Sequence, residues 1–357
     1  PALMHCLGGA IKAGPVLGRV DNALDRATEF IDSDITDRAK NTEGRITFGI
    51  SAYSVSQKPL KGNPARRVSG WIQKTGLAIK KQLRTDGVSA RFVAPARGVC
   101  SLSSVVVEKN HLAQKQGVEY VLLVGDDHIT VGATEAVQEF EAYSYRDYHR
   151  PHRDMKTGLL PPKIARMMVN LAEIKQSEAL LDPFCGLGTV LQEALLVGHE
   201  NVWGSDIDKK NVGATKENLE WLKANNDEVP ASGGMTIISC DARKLGSCFQ
   251  KNSVGAIVTE PTLGPVLSAG QTISRKDIAD LCDLYVDSFR SFREVLKPGG
   301  RVVIVFPVWI ERGKQTYVPC VEDIERLGFK KESTPIVIAR DDSRVARELF
   351  VFKKTTR

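Results

Sequence analysis

The stretch that most limits what this chain can fold into runs from Ala179 to Asp208 and reads ALLDPFCGLGTVLQEALLVGHENVWGSDID. Ala179-Leu180-Leu181 is an unbroken apolar run, the pattern of a strand covered on both faces. Asp182-Pro183 ends it, and Phe184-Cys185-Gly186-Leu187-Gly188 forms a turn whose glycines let a ligand come close to the backbone. Thr189 then opens an apolar-periodic helix through Val190, Leu191, Ala194, Leu195 and Leu196, which stops at Gly198. A second strand, Asn201 to Ser205, finishes on Asp206-Ile207-Asp208. This is a β-loop-α-β unit with glycines after its first strand and an acid after its second. In a doubly wound sheet those two places lie side by side at the carboxyl edge.

The rest of the C-terminal half continues the alternation. Lys163 to Ile174 reads as a helix before the unit, and Lys210 to Leu222 as one after it. Met235 to Ser239 is a third strand closed by Cys240-Asp241-Ala242-Arg243. Gly255 to Thr259 is a fourth, closed by Glu260-Pro261-Thr262-Leu263-Gly264-Pro265. Arg275 to Leu296 is the longest helix, and Lys297-Pro298-Gly299-Gly300 turns it into a fifth strand, Arg301 to Phe306. Tyr317 to Leu327 reads as a helix, and Pro335 to Arg340 with Leu349 to Lys353 as a terminal hairpin. The fold class expected is α/β, a doubly wound sheet with an antiparallel end.

The ligand can be narrowed from the loop itself. A dinucleotide fingerprint would be G-x-G-x-x-G, whereas only Gly186-x-Gly188 is present and an acid precedes it. A carboxylate such as Asp182 would repel a pyrophosphate and suits a cationic amino group. Asp206, about 20 residues on, is placed to take ribose hydroxyls. S-adenosylmethionine offers both groups. Asp241 is then assigned to the adenine amine, with Ala242 giving a backbone amide to the ring.

The seven cysteines (Cys6, Cys100, Cys185, Cys240, Cys248, Cys282, Cys320) include no C-x-x-C pair. They read as free thiols in a reducing cytoplasm, with no structural zinc or other metal expected. No apolar run reaches the roughly 18 residues of a membrane span. Charge is distributed unevenly. Between Arg45 and Arg97 there are eleven basic residues against the single acid Asp86. From Thr157 to Arg357 the balance is 27 basic to 26 acidic. Such a local excess is the footprint of a polyanion partner.

The N-terminal part is organised around that basic stretch. Residues 1 to 43 read as the remnant of a small N-terminal domain, with Asp21 to Ile31 helical and Asp32 to Glu43 a polar loop. Residues 44 to 135 form a small α/β module. Its strands are Ile46 to Tyr53, Ala90 to Val93 and Val105 to Val107, and Tyr120 to Val124 pairs with Ile129 to Val131 as a hairpin. Its helix, Arg66 to Leu83, sets Val68, Trp71, Ile72, Leu77, Ile79 and Leu83 among basic residues. Arg66, Arg67, Lys74, Lys80, Lys81, Arg84 and Arg91 are the candidate nucleic-acid contacts. Residues 136 to 158 are expected as a linker, and the stretch Tyr143 to Pro162, rich in Tyr, Arg and His, has two readings: a surface that stacks on bases and touches phosphates, or a linker pinned to both domains.

With these motifs in place the chain resembles a known family. Residues 159 to 357, with the D-P-F-C-G-x-G loop, resemble a class I S-adenosylmethionine-dependent methyltransferase of the RNA guanosine N2-methylase type. Residues 44 to 135 resemble a THUMP RNA-binding domain. Together they are similar to archaeal and eukaryotic tRNA methyltransferases that act on guanosine 10. The resemblance implies tRNA as partner, S-adenosylmethionine as cofactor, and Asp182, Pro183, Phe184, Cys185, Gly186, Gly188, Thr189, Asp206, Ile207, Asp241, Ala242 and Glu260 as its contacts. It implies catalysis by Glu260, Pro261, Thr262 and Leu263, in the place where the family carries Asp or Asn, then Pro-Pro, then Tyr or Phe. A small activator subunit is compatible with it and is not decided by the residues.

One departure is plain: Glu260 keeps an acceptor on a longer arm and Pro261 the first proline, but the second proline and the aromatic are replaced by Thr262 and Leu263. Trp309 and Phe306 are the nearest replacements for the ring by sequence. Two alternatives stay open at this point: a tRNA-binding protein that keeps the cofactor fold without turnover, and an amine methylase acting on rRNA or DNA.

Overall fold

Two units, each with its own core, divide the chain: Pro1–His5 with Ala10–Phe140, and Cys6–Gly9 with Glu141–Arg357. The computed structural model describes residues 2–55, 62–153, 159–230, 233–267, 271–311, 313–339 and 343–356.

In the first part of the chain the elements are α1 (Ala2–Cys6), β1 (Lys12–Ala13), β2 (Val16–Asp21), α2 (Leu24–Lys40), β3 (Ile46–Ser54), α3 (Gly62–Thr85), β4 (Ala90–Val93), α4 (Ser104–Lys109), β5 (Gly117–Val124), β6 (His128–Ala133) and β7 (Ala136–Val137). Strands β2-β6-β5-β3-β4 form one sheet, with β3 parallel to both β4 and β5 and a β5–β6 hairpin as expected. Phe48, Ile50, Tyr120 and Leu122 of the sheet are buried with Ile72 and Ile79 of α3.

Three expectations are corrected here. The segment Asp32 to Glu43 is not a loop, because α2 continues to Lys40. Ile31, Ile35 and Ala39 recur every four residues and are buried. The acid that makes the segment look loop-like is an anchor: Asp34 accepts the Tyr120 hydroxyl at 2.6 Å and pairs with Arg38. Val105 to Val107 is helical, not a strand. The Ser103 hydroxyl caps it by accepting from the Val106 amide at 3.3 Å, and Val107 alone turns fully inward. Within the stretch 1 to 43 expected as a remnant, β2 and α2 belong to the same module as α3, since β2 pairs with β6 and Ile31 and Ile35 enter the core that α3 covers. On α3, Leu77 faces solvent and Gly76 takes the inward place, where a Cβ would meet the Phe92 ring at 2.2 Å.

The rest of the chain runs α5 (Phe140–Tyr148), α6 (Pro162–Leu171), β8 (Leu180–Asp182), α7 (Thr189–Leu196), β9 (Val202–Asp206), α8 (Lys209–Ala224), β10 (Met235–Ser239), a 3-10 turn (Ala242–Ser247), β11 (Val254–Thr259), α9 (Arg275–Val295), β12 (Leu296–Glu311), β13 (Lys314–Tyr317), α10 (Val321–Arg326), β14 (Phe329–Lys331), β15 (Ile336–Ile338) and β16 (Val345–Lys354). Strands β10-β9-β8-β11-β12 are parallel, and β16 joins antiparallel. β14 closes the order β10-β9-β8-β11-β12-β16-β14. β15 pairs with β16 as expected, although Arg340 lies outside the described residues. β13 and β14, both short, are not foreseen by the sequence pattern, and the helix expected from Tyr317 starts at Val321.

Side chains alternate between two cores. Leu180, Ala256 and Val303 face one, with Leu191 and Leu195 of α7; Leu181, Ile257 and Val302 face the other, with Phe289 and Phe292 of α9. Phe289 meets Phe329 and Phe352 edge-on at 4.9 and 5.3 Å. Truncating it to alanine would cost about 3–5 kcal/mol. The strand order reverses between β8 and β11, so the chain leaves their carboxyl ends in opposite directions and opens a crevice there.

Of the segment expected as a linker, residues 141 to 153 belong to the second unit, and 154 to 158 lie outside the described residues. Arg146 and Arg166 pair from two sides with the buried Glu193 of α7, at 2.9 and 2.6 Å. The Tyr143 ring lies 4.5 Å from the Arg146 guanidinium. These buried groups hold α5 to the fold and are not presented to a nucleic acid.

Candidate active site

At the switch point the loops after β8, β9, β10 and β11 enclose a cavity of about 530 Å³. It is lined by Asp182, Pro183, Phe184, Cys185, Gly186 and Thr189 from the first loop. Asp206 and Ile207 come from the second, Asp241 and Ala242 from the third, and Glu260, Pro261, Thr262 and Leu263 from the fourth. Gly188 does not line it. Its φ of 82° starts α7, and a Cβ there would press on Thr215 at 3.0 Å. Gly186 lines the cavity on an open side: at φ 51° a Cβ would meet only the Phe184 carbonyl, at 3.9 Å.

Each acid has a definite setting. Asp182 is fully buried, and one oxygen accepts from the Thr259 hydroxyl at 2.6 Å and the Phe184 amide at 3.2 Å. Burial pushes its carboxyl up to about 7, and nearby Asp206 and Glu260 push the same way. Asp206 draws the glycine loop onto β9, accepting from the Gly186 amide at 3.0 Å and the Asp208 amide at 2.9 Å. Asp241 lines the cavity, but Arg243 engages both of its oxygens, at 3.0 and 2.7 Å, and holds it below the usual carboxylate range. Arg243 also lines the cavity, a role the sequence pattern does not single out.

The fourth loop holds the largest surprise. Glu260 is in a two-point ion pair with Arg347 of β16, Nε to Oε1 at 2.6 Å and Nη2 to Oε2 at 3.3 Å. Nothing in the sequence near either residue announces the other. Arg347 lies opposite Pro307 of β12 and reaches past that strand to the end of β11. The Tyr285 hydroxyl donates to the Thr262 carbonyl at 2.6 Å and ties the loop to α9. The stacking rings suggested by sequence proximity are not available: Trp309 and Phe306 are each 1% exposed within the second core. Phe184 is the aromatic among the described residues that line the cavity.

In the first unit Arg66, Arg67, Lys74, Lys81 and Arg84 are exposed along α3, and Lys80 is half-buried. Arg91 is exposed on the edge strand β4 and shares a cleft with Arg45, Lys109, His111 and Lys115. Lys58 and Lys61, which contribute to the basic count, lie outside the described residues. The cysteine expectation is overturned in one place. The 3-10 turn after β10 folds the chain back, and Cys240 and Cys248 form a disulfide with their Cα atoms 6.6 Å apart. Cys6, Cys100, Cys185, Cys282 and Cys320 are free. No helix among the described residues is long and apolar enough to cross a membrane.

The strand order, the switch-point cavity and the acid at each strand end define a class I methyltransferase domain. TrmN from Thermus thermophilus has the same fold, with a TM-score of 0.54 and 19% identity over 97% of this chain and 83% of that one. The family described as RMKL-like, methyltransferase domain, matches residues 149–311. A tRNA (guanine(10)-N2)-dimethyltransferase of Methanothermobacter thermautotrophicus is 33% identical over 53% of this chain and 50% of its own length. A probable tRNA (guanine(10)-N2)-dimethyltransferase of Methanothermococcus thermolithotrophicus is 31% identical over 40% of this chain and 77% of its own length. The chain belongs to the tRNA guanine-N2-methyltransferase family. It spans about half the length of the curated relatives it matches first.

The methyl donor of this class is S-adenosylmethionine, and the residues fit it. The donor brings an ammonium and a sulfonium to a cavity lined by four acids. Asp182 among them forms no ion pair within the described residues, and a cation beside it would restore its charge. The open side of Gly186 leaves room against the loop backbone.

Proposed function

We propose that this protein is a tRNA methyltransferase that transfers methyl from S-adenosylmethionine to the exocyclic N2 amine of a guanosine, at position 10. The observation that carries the reading is the convergence of Glu260 and Pro261 on the acid-lined cavity of the methyltransferase domain. In this reading Asp182, Asp206 and the Ala242 backbone hold the cofactor, which supplies an electrophilic methyl group, and Asp241 reaches it through the lone pairs that Arg243 leaves free. Glu260 accepts one amine hydrogen and the Pro261 carbonyl the other, which turns the nitrogen lone pair toward that methyl. The Tyr285 anchor keeps the Pro261-Thr262 backbone in place. Positioning supplies most of the rate, since the donor is already activated. Phe184 is the ring offered to the base. The first unit acts as a THUMP-like module, and the exposed cations of α3 and Arg91 grip the tRNA phosphates.

The test is transfer of labelled methyl into tRNA, followed by nucleoside analysis. N2-methylguanosine or its dimethyl form should appear, and should vanish when guanosine 10 is replaced by adenosine. Glu260→Ala should lower kcat about 10²-fold, as for other transition-state hydrogen-bond partners, with Glu260→Gln retaining part of the rate. Label in rRNA or DNA alone would move the substrate. No transfer to any nucleic acid by a protein that binds both cofactor and tRNA would overturn the reading and leave a binding protein.

A further inference from the structure

Just past the end of β11 stands an acid with a long arm, Glu260, and that acid is not alone. The Glu260 side chain is 13% exposed and that of Arg347 19%. The guanidinium meets both carboxylate oxygens from β16, and its Nη2 also lies 3.5 Å from the Leu159 carbonyl. A planar fork matched to a carboxylate fixes its orientation in a way a flexible ammonium does not. We propose that Arg347 is a positioning residue for methyl transfer, holding Glu260 as an ionised, oriented acceptor for the target amine. The inference rests on the methyltransferase reading above.

The surroundings show why such a partner is required. The Asp182 carboxyl on β8 and the Tyr285 hydroxyl on α9 lie close enough to feel the charge of Glu260, and both are pushed up by it. Arg347 is the cation facing it among the described residues. Burial drives Glu260 above the usual carboxylate range, and the Arg347 hydrogen bonds and charge oppose that drive. A protonated Glu260 would present an O–H where the amine needs an acceptor. The pair also accounts for the length of the side chain. An aspartate at position 260 would be one methylene shorter and would end short of the guanidinium as β16 places it. Each oxygen keeps lone-pair capacity beyond the Arg347 bond, so accepting an amine hydrogen does not require the pair to break.

Three arms test this. The first is the Glu260 side-chain carboxyl titration, followed by carbon-13 NMR in protein labelled at glutamate carboxyls and assigned by difference with Glu260→Gln. Arg347→Met should move that titration to higher pH. The second is kinetic. Arg347→Met should lower kcat about 10-fold or more at neutral pH with little change in KM for tRNA, and the rate should recover as pH rises through the raised titration. Arg347→Lys, which keeps the charge without the fork, should lie between. The third is a cycle: glutamine accepts without needing a counter-charge, so the double variant should be no slower than Glu260→Gln alone. Unchanged titration in both Arg347 variants, or strictly additive losses in the cycle, would overturn the proposal. A wild type that transfers no methyl while the titration still moves would sink the methyltransferase reading, leaving only the hold of Arg347 on Glu260.

Discussion

Asp182 makes the stability of the cofactor-free protein depend on pH in an unusual direction. Burial at the end of β8 pushes its carboxyl up to about 7, from 3.8 for an ordinary aspartate, and the charges of Asp206 and Glu260 push the same way. That displacement corresponds to roughly 4 kcal/mol between the two protonation states. The folded chain therefore holds a proton that the unfolded chain gives up. Between about pH 4 and pH 7 the unfolded state binds fewer protons, so stability falls as pH rises through that window and levels off above it. Asp182→Asn should remove the fall. Asparagine keeps an oxygen to accept from the Thr259 hydroxyl and the Phe184 amide, so packing is unchanged. The variant should match wild type near pH 4 and exceed it by about 2–4 kcal/mol at pH 8. Urea unfolding followed by tryptophan fluorescence reads this directly. Trp203, Trp221 and Trp309 lie in the second unit, and a Trp71→Phe background removes the reporter in the first. The same variant should lose cofactor affinity, because the carboxylate proposed to meet the ammonium is gone. Parallel pH curves for variant and wild type would refute the assignment of a buried, proton-holding Asp182.

Two further expectations follow from the same geometry. Asp206→Ala should weaken S-adenosylmethionine binding by roughly 1–3 kcal/mol by calorimetry, the cost of leaving ligand hydroxyls without a charged acceptor, and unchanged affinity would remove Asp206 from the site. Reversing Arg66, Arg67, Lys80 and Lys81 together should flatten the log–log salt dependence of tRNA binding by about 0.7–0.9 for each phosphate no longer neutralised, with cofactor affinity intact; an unaltered slope would place the tRNA elsewhere.

What can be read in advance follows the range of the interactions involved. The unit from Ala179 to Asp208 is legible because each of its features is local: an apolar strand, glycines at a turn, a helix with one stripe, an acid at a strand end. The structure places its strands and helix within about a residue of expectation. α2 reads too short because polarity counts along the chain, whereas burial follows every fourth residue, and Asp34 owes its place to Tyr120, distant in sequence. Val105 to Val107 reads as a strand because three β-branched residues outweigh one capping hydroxyl. The disulfide is hidden because spacing says nothing of the 3-10 turn that brings Cys240 back to Cys248.

The site itself divides along the same line. Lining residues come from strand ends, and strand ends can be read from sequence; what those residues touch cannot. The expectation at Asp241 treats its carboxylate as open to a ligand, yet Arg243, two residues on, already engages both oxygens. The expectation at Glu260 treats the missing proline and ring as the whole departure. The larger change is a charged partner 87 residues away, brought in by antiparallel pairing of β16 beside β12. A buried carboxylate at the end of a fully buried strand requires a counter-charge or a proton. Arg347, set among the apolar residues of the last strand, supplies that counter-charge. On the proposal that Glu260 accepts from the target amine, loss of the second proline and the aromatic does not by itself mark an impaired site, because that acceptor is held by Arg347, which a shorter aspartate or asparagine would not reach from the same place.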